Sequence, residues 1–249
     1  PGTAKSLLAR VVWTIFNEDY EYFEFLMSRF STPDDIFGQT SIKALKEDKY
    51  LRNIDGTLVT ADVAFLDEIF KAGTGILNSL LTILNERQFR NGGAMIDVPL
   101  KAVIAASNET PQDPELGALY DRFLLRLYVG PMEEEKNFVA LLEGKKEAEK
   151  ELSNDLKMSF EDLRSWQVSA EEVSLSRETT ECLARIRRQL STFTKTNPKL
   201  YVSDRRWKQI AKLMKTAAFF CDRKETNLSD VLLLRHCLWS EMEDREEVY

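Results

Sequence analysis

Apolar and polar positions change their period several times along the 249 residues, and each change predicts an element. Leu7, Leu8, Val11, Val12 and Ile15 recur at helical spacing and predict a helix from Ser6 to about Asn17. Tyr22-Phe23-Glu24-Phe25-Leu26-Met27 is aromatic-rich and fits a buried strand. Ser31-Thr32-Pro33-Asp34-Asp35 marks a turn and a helix start, and Ile36 to Lys46 is more irregular. Tyr50-Leu51-Arg52 and Thr57-Leu58-Val59 flank Asn53-Ile54-Asp55-Gly56, whose Asp-Gly predicts a hairpin. Val63-Ala64-Phe65-Leu66 is a short continuous apolar run with a β-branched start, the pattern of a strand buried in a parallel sheet, and it leads straight into Asp67 and Glu68.

Lys71-Ala72-Gly73-Thr74-Gly75 then breaks the chain, and Ile76, Leu77, Leu80, Leu81 and Leu84 predict a helix to about Glu86. A second hairpin is expected over Phe89–Val98, turning at Asn91-Gly92. Lys101 to Asn108 reads as another buried strand ending in an amide, Leu116 to Asp121 as a short helix, and Leu124 to Val129 as a further strand. Strands alternating with helices imply a parallel sheet with covering helices. After Gly130-Pro131 the pattern shifts. Met132 to Leu152 is charged and helical, Ser153 to Ala170 is weakly apolar and reads as a linker or insertion, and everything from Ser174 is helical in period. Ser203 is placed to cap a helix presenting Trp207, Ile210, Ala211, Met214, Ala217 and Ala218, and Ser229 to cap a last one with Val231, Leu234, Leu238 and Trp239 facing inward. The expected organisation is an α/β core over 1–131, a connecting helix and insertion over 132–170, and an all-α unit over 171–249.

Composition narrows this picture. A 43% hydrophobic, 30% charged chain of this length supports one large or two modest domains. The net charge of −7 gives no footprint for non-specific nucleic-acid binding. Cys182, Cys221 and Cys237 are widely spaced, no C-x-x-C occurs, and His236 is the single histidine, so free thiols in a reducing, cytoplasmic setting are expected rather than a metal site. No apolar run is long enough to span a membrane.

The chemistry lies at predicted strand and helix ends. In an open α/β sheet, ligands bind beyond the carboxyl ends of the strands. Asp67 and Glu68 stand there: one carboxylate suits Mg²⁺, and its neighbour can take a proton from an attacking water. Pro1-Gly2-Thr3-Ala4-Lys5-Ser6 looks like the back half of a phosphate-binding loop, G-x-x-x-x-G-K-[ST], with Ala4 in place of the second Gly and the first Gly and preceding strand absent. Backbone N–H groups at such a helix start attract phosphate.

Ala4-Lys5-Ser6, Asp67-Glu68, Ser107-Asn108 and Asp121-Arg122-Phe123, followed by a small helical domain, together resemble the AAA+ ATPases. More narrowly they resemble the MoxR family, whose phosphate loop commonly carries Ala-Lys, and within it the subfamily called regulatory ATPase variant A (RavA). Arg29-Phe30-Ser31-Thr32-Pro33, Phe65-Leu66-Asp67-Glu68-Ile69, Asn85 to Gly92, Ala105-Ala106-Ser107-Asn108-Glu109 and Tyr201 to Trp207 carry that likeness over nearly the whole chain. The incomplete loop suggests a fragment. The resemblance implies a P-loop NTPase core with a parallel sheet, followed by an all-α lid. It implies ATP and Mg²⁺ as cofactors, a homo-oligomeric ring, a hexamer, and a remodelled partner protein, family members being often linked with proteins that carry a von Willebrand factor A domain. Gly2, Thr3, Ala4, Lys5 and Ser6 would cradle phosphate, with Ser6 and Asp67 on Mg²⁺, Glu68 activating water and Asn108 (the family's sensor 1) positioning it. Arg122 resembles the arginine finger that reaches a neighbouring subunit's nucleotide; an ion pair with Asp121 is its plainer reading. Arg205 or Arg206 resembles sensor 2, with Arg205 favoured. The hairpins near 50–60 and 89–98 look like the family's extra insertions near the ring axis and equally like plain edge hairpins. A nucleotide-binding regulatory scaffold without turnover is the alternative function.

Overall fold

The computed structural model describes residues 5–16, 20–111, 114–143, 153, 156–194 and 201–241. The chain divides into two units, residues 1–120 with 129–158, and residues 121–128 with 159–249.

In the first unit, α1 (Lys5–Trp13) precedes β1 (Tyr22–Leu26), and β2 (Val63–Asp67) and β5 (Ala102–Ala105) complete a parallel sheet in the order β1-β2-β5. Register pairs Leu26 with Asp67 and Leu66 with Ala105, so the three strands end together. The central strand is apolar on both faces because both are covered: Val63, Ala64, Phe65 and Leu66 are all buried. Ala9 of α1 packs with Phe65 and Ala106 on one side of the sheet. Between the strands lie α2 (Pro33–Phe37), α3 (Ile42–Leu45), α4 (Thr74–Glu86) and a hairpin of β3 (Gln88–Asn91) and β4 (Ala94–Asp97). Helix α4 buries Ile76, Leu77 and Leu80 as its spacing predicts, but its third turn buries Ile83, while Leu81 and Leu84 are only half-buried. α5 (Pro114–Tyr120) and α6 (Glu135–Leu142) follow.

Two elements differ from the sequence expectation here. Asp55-Gly56 does not turn a hairpin. The Arg52 segment instead bridges Thr40, and the buried Asn91 side chain clips it, accepting from Arg52 N at 2.7 Å and donating to Arg52 O at 3.1 Å. Its would-be partner strand coils into turns that bury Leu58 and Val59. The close approach explains two glycines. A Cβ on Gly92 (φ +62°) would meet Tyr50 O at 2.6 Å, and one on Gly38 (φ +95°) would meet Asn53 O at 1.8 Å. The second hairpin forms, but turns one residue later than expected, with Asn91 paired to Ala94 across Gly92-Gly93.

The second unit holds α7 (Phe160–Glu172), α8 (Arg177–Phe193), α9 (Asp204–Phe220) and a final 3-10 segment over Leu228–His236. Ile210, Met214, Leu234, Cys237 and Leu238 form its core, with Trp207 packed against them. Three corrections belong to it. Residues 124–128 are not a strand. Their inward positions are Leu124 and the buried Arg126, while Leu125, Leu127 and Tyr128 are exposed, so the segment does not bury the apolar run that the expected strand would bury. The backbone there bonds to helical-unit residues, with Arg126 N donating to His236 O at 2.8 Å and the Arg126 guanidinium to Trp239 O. Residues 160–170, expected within a linker or insertion, are helical as part of α7 because Ser159 and Asp162 make a reciprocal cap, with Asp162 N donating to Ser159 Oγ at 3.0 Å. The last segment is capped by Asn227 rather than Ser229, whose N–H donates to Asn227 Oδ1 at 2.9 Å. Ser203 caps α9 as its position predicts.

Candidate active site

The carboxyl ends of β2 and β5 are laced together by the backbone. Ala106 N donates to Leu66 O at 2.9 Å and Ile69 N to Ala106 O at 3.2 Å. These bonds hold the segments after the two strands side by side, which brings Asp67-Glu68 against Ser107-Asn108. Glu68 then adopts a left-handed conformation (φ 52°, ψ 39°). For a residue with a Cβ this costs about 1–2 kcal/mol, and it turns the chain into the 3-10 turn Ile69–Lys71.

The side chains converge in one line. Lys5, at the first turn of α1, donates from Nζ to Ser107 O and to Asn108 Oδ1, both at 3.0 Å. The Asn108 amide donates in turn from Nδ2 to Glu68 Oε1. Lys5 thereby sets which end of the amide faces Glu68, because an ammonium demands the carbonyl. Glu68 is 8% exposed, and its Oε2 is buried without a hydrogen bond among the described residues. Asp67 is half-buried, and its Oδ1 accepts from Glu68 N at 2.9 Å. Ser6 follows Lys5 in the same turn of α1. Gly2, Thr3 and Ala4 lie outside the described residues. Among the described residues no group of three or more His, Cys, Asp or Glu side chains could hold a metal ion, so a cation here would share its ligands with hydroxyl, water or phosphate oxygens.

Arg122 and Arg205 belong to the helical unit. Burial first, then the charge of Arg205, lowers the Arg122 pKa, and Asp121 opposes both. Asp121 is engaged elsewhere: Arg205 Nη2 donates to its Oδ2 at 2.7 Å, and Ser203 Oγ to the same oxygen at 3.1 Å. Arg205 keeps 41% of its side chain exposed, whereas that of Arg206 is 2% exposed and sits in the core with Nη1 3.9 Å from Asp121. Sequence reasoning did not single out Lys71, whose Nζ is 3.4 Å from Glu68 Oε2. Its signal was the i,i+3 spacing, readable only once Glu68 is known to open a helical turn.

A family model described as the MoxR domain in the MoxR-vWA-beta-propeller ternary systems matches residues 1–168. This chain belongs to the MoxR family. A separate AAA lid domain model matches residues 178–249, so the chain consists of a parallel-sheet α/β core followed by a helical lid. Two uncharacterized proteins of Methanocaldococcus jannaschii are 40% and 38% identical to it over 245 residues, 98% of this chain. The chain spans 61% and 62% of their lengths. A structural protein of Acidianus two-tailed virus is 32% identical over 132 residues, 51% of this chain and 21% of its own. The crystal structure of a candidate ATPase from Cytophaga hutchinsonii shares the fold, with a TM-score of 0.72 at 18% identity over 99% of this chain and 78% of that one. Among the described residues of this MoxR-family chain, no helix is long and apolar enough to cross a membrane.

Proposed function

We propose that this MoxR domain hydrolyses ATP with Mg²⁺ in a homo-oligomeric ring, a hexamer, and that the cycle remodels a partner protein. The observation that carries the reading is the hydrogen-bonded line from Lys5 through Asn108 to Glu68 at the carboxyl ends of two parallel strands. A phosphate-binding ammonium, an amide and a buried carboxylate with one unsatisfied oxygen are what a water-activating site needs.

A bound Mg²⁺ supplies neutralisation of phosphate charge. Ser6 and Asp67 would hold it, through a hydroxyl and a carboxylate. Lys5 leaves Asn108 to bind phosphate oxygens, with the backbone of Gly2, Thr3 and Ala4 completing the cradle. Glu68 accepts the proton of the attacking water, and Asn108 orients that water. Arg122 serves the nucleotide of a neighbouring subunit, and Arg205 contacts phosphate after releasing Asp121. The likeness to the RavA subfamily and the family model's vWA-containing systems support a partner with a von Willebrand factor A domain. Three free cysteines agree with a cytoplasmic setting.

The test is Glu68→Gln in the full-length protein. Nucleotide affinity by calorimetry should be retained, while turnover falls by about 10²–10⁴-fold because the amide keeps the shape and loses the basicity. Unchanged turnover would remove Glu68 from the reaction. Nucleotide binding with no turnover in the unaltered protein would identify the regulatory scaffold instead.

A further inference from the structure

Glu68 has two carboxylate oxygens, and the fold treats them differently. Oε1 accepts from the Asn108 amide. Oε2 is buried, accepts no hydrogen bond among the described residues, and has the Lys71 ammonium 3.4 Å away. An i,i+3 pair between two solvated side chains contributes little. Here the Glu68 side chain is only 10% exposed, and a buried charge without a counter-charge is costly. The backbone sets the pair up. Glu68 opens the 3-10 turn in its left-handed conformation, and Lys71 N donates to Glu68 O at 2.9 Å, so both side chains leave one tight turn.

We propose that Lys71 is a positioning residue for Glu68, its ammonium holding Oε2 so that the carboxylate keeps one orientation toward the reacting water. The inference rests on the reading of Glu68 as the water-activating group. Asn108 is a conditional support, because its carbonyl is tied to Lys5 Nζ at 3.0 Å. When Lys5 turns to phosphate, the bond that fixes the amide is gone. The hold of Lys71 on Oε2 does not pass through that chain and persists with nucleotide bound. Lys71 also keeps 41% of its side chain exposed, so its substitution leaves the core intact.

The experiment compares Lys71→Met, Lys71→Arg and Glu68→Gln in the full-length protein. Steady-state ATP hydrolysis is measured alongside hydrogen exchange of the Asn108 side-chain amide by NMR without nucleotide. Lys71→Met should lower kcat by about 10–100-fold, the cost of a misaligned reacting group, with KM changed by less than about twofold. Lys71→Arg should recover most of the rate, and the Asn108 amide should exchange faster in Lys71→Met alone. Wild-type kcat and exchange in Lys71→Met, while Glu68→Gln is inactive, would overturn the positioning role and leave the function intact. A loss appearing in KM would also overturn it, by making Lys71 a direct nucleotide contact. Full turnover in Glu68→Gln would overturn the reading of Glu68 and the role of Lys71 together.

Discussion

Burial pushes the Cys237 thiol up to about 11 from an ordinary 9.0, against the opposing charge of Arg206. The sign of its linkage to stability follows. A thiol whose pKa is raised on folding stays neutral in the native state while its unfolded counterpart ionises, so its contribution is complete below about pH 9 and is lost as pH rises through about 11. Urea unfolding of the wild type and of Cys237→Val across that window should give a steeper decline in the wild type; parallel profiles would remove Cys237 from the linkage. Glu68 and Asn108 were legible as residues because each follows a short apolar run. Lys71 was not, because its meaning depends on a left-handed residue that no local pattern announces. The Arg122–Asp121 pairing suggested by adjacency is likewise open to competition, since Asp121 receives Arg205 and Ser203 from the start of α9.

At the scale of elements, caps and burial decide what forms. Helix α9 has both: Ser203 accepts from Arg206 N at 3.2 Å, and Ile210, Met214 and Ala218 are buried along one face. Met214 is fully buried at the centre of the lid core. Met214→Ala should therefore cost about 2–5 kcal/mol, read from the urea midpoint of the lid transition, since the neighbours collapse only partly into the space. A cost under about 1 kcal/mol would mean the lid core repacks freely. Helix α6 is the opposite case, with every residue from Glu135 to Leu142 exposed, including Phe138 and Leu142. Its charged first turn was readable, but a face for its apolar residues is not found among the described residues.

For the whole molecule, the candidate groups are shared between the two units: Lys5, Asp67, Glu68 and Asn108 in the core, Arg122 and Arg205 in the lid. If Arg122 serves a neighbour's nucleotide, as proposed, activity should rise with protein concentration as rings assemble. Mixing settles the point. Arg122→Ala subunits keep a complete Glu68, and Glu68→Gln subunits still offer Arg122, so two inactive preparations should regain partial activity when combined. No recovery in rings shown to be mixed would count against a role between subunits. The 61% coverage of the Methanocaldococcus jannaschii relatives makes the full-length protein the right object for this test.

The central strand and its acidic end, helix α4 with the first three members of its stripe, the second hairpin and the capped lid helix were determined by the sequence alone. In each of them local period and burial coincide: a run apolar on both faces has to be covered on both, and a stripe at helical spacing has to face a core. Tertiary structure decided the segments whose backbone groups had more than one possible partner. Leu124 to Tyr128 has the composition of a strand but is bonded into the lid, and Arg52 is claimed by Thr40 and Asn91 before Asp55-Gly56 can close a hairpin. The candidate-site line from Lys5 to Glu68 is of the second kind. Its members are 103 and 40 residues apart in sequence; the bonds that align the ends of β2 and β5 bring Glu68 to Asn108, and the packing of Ala9 of α1 on Phe65 and Ala106 brings Lys5 to them.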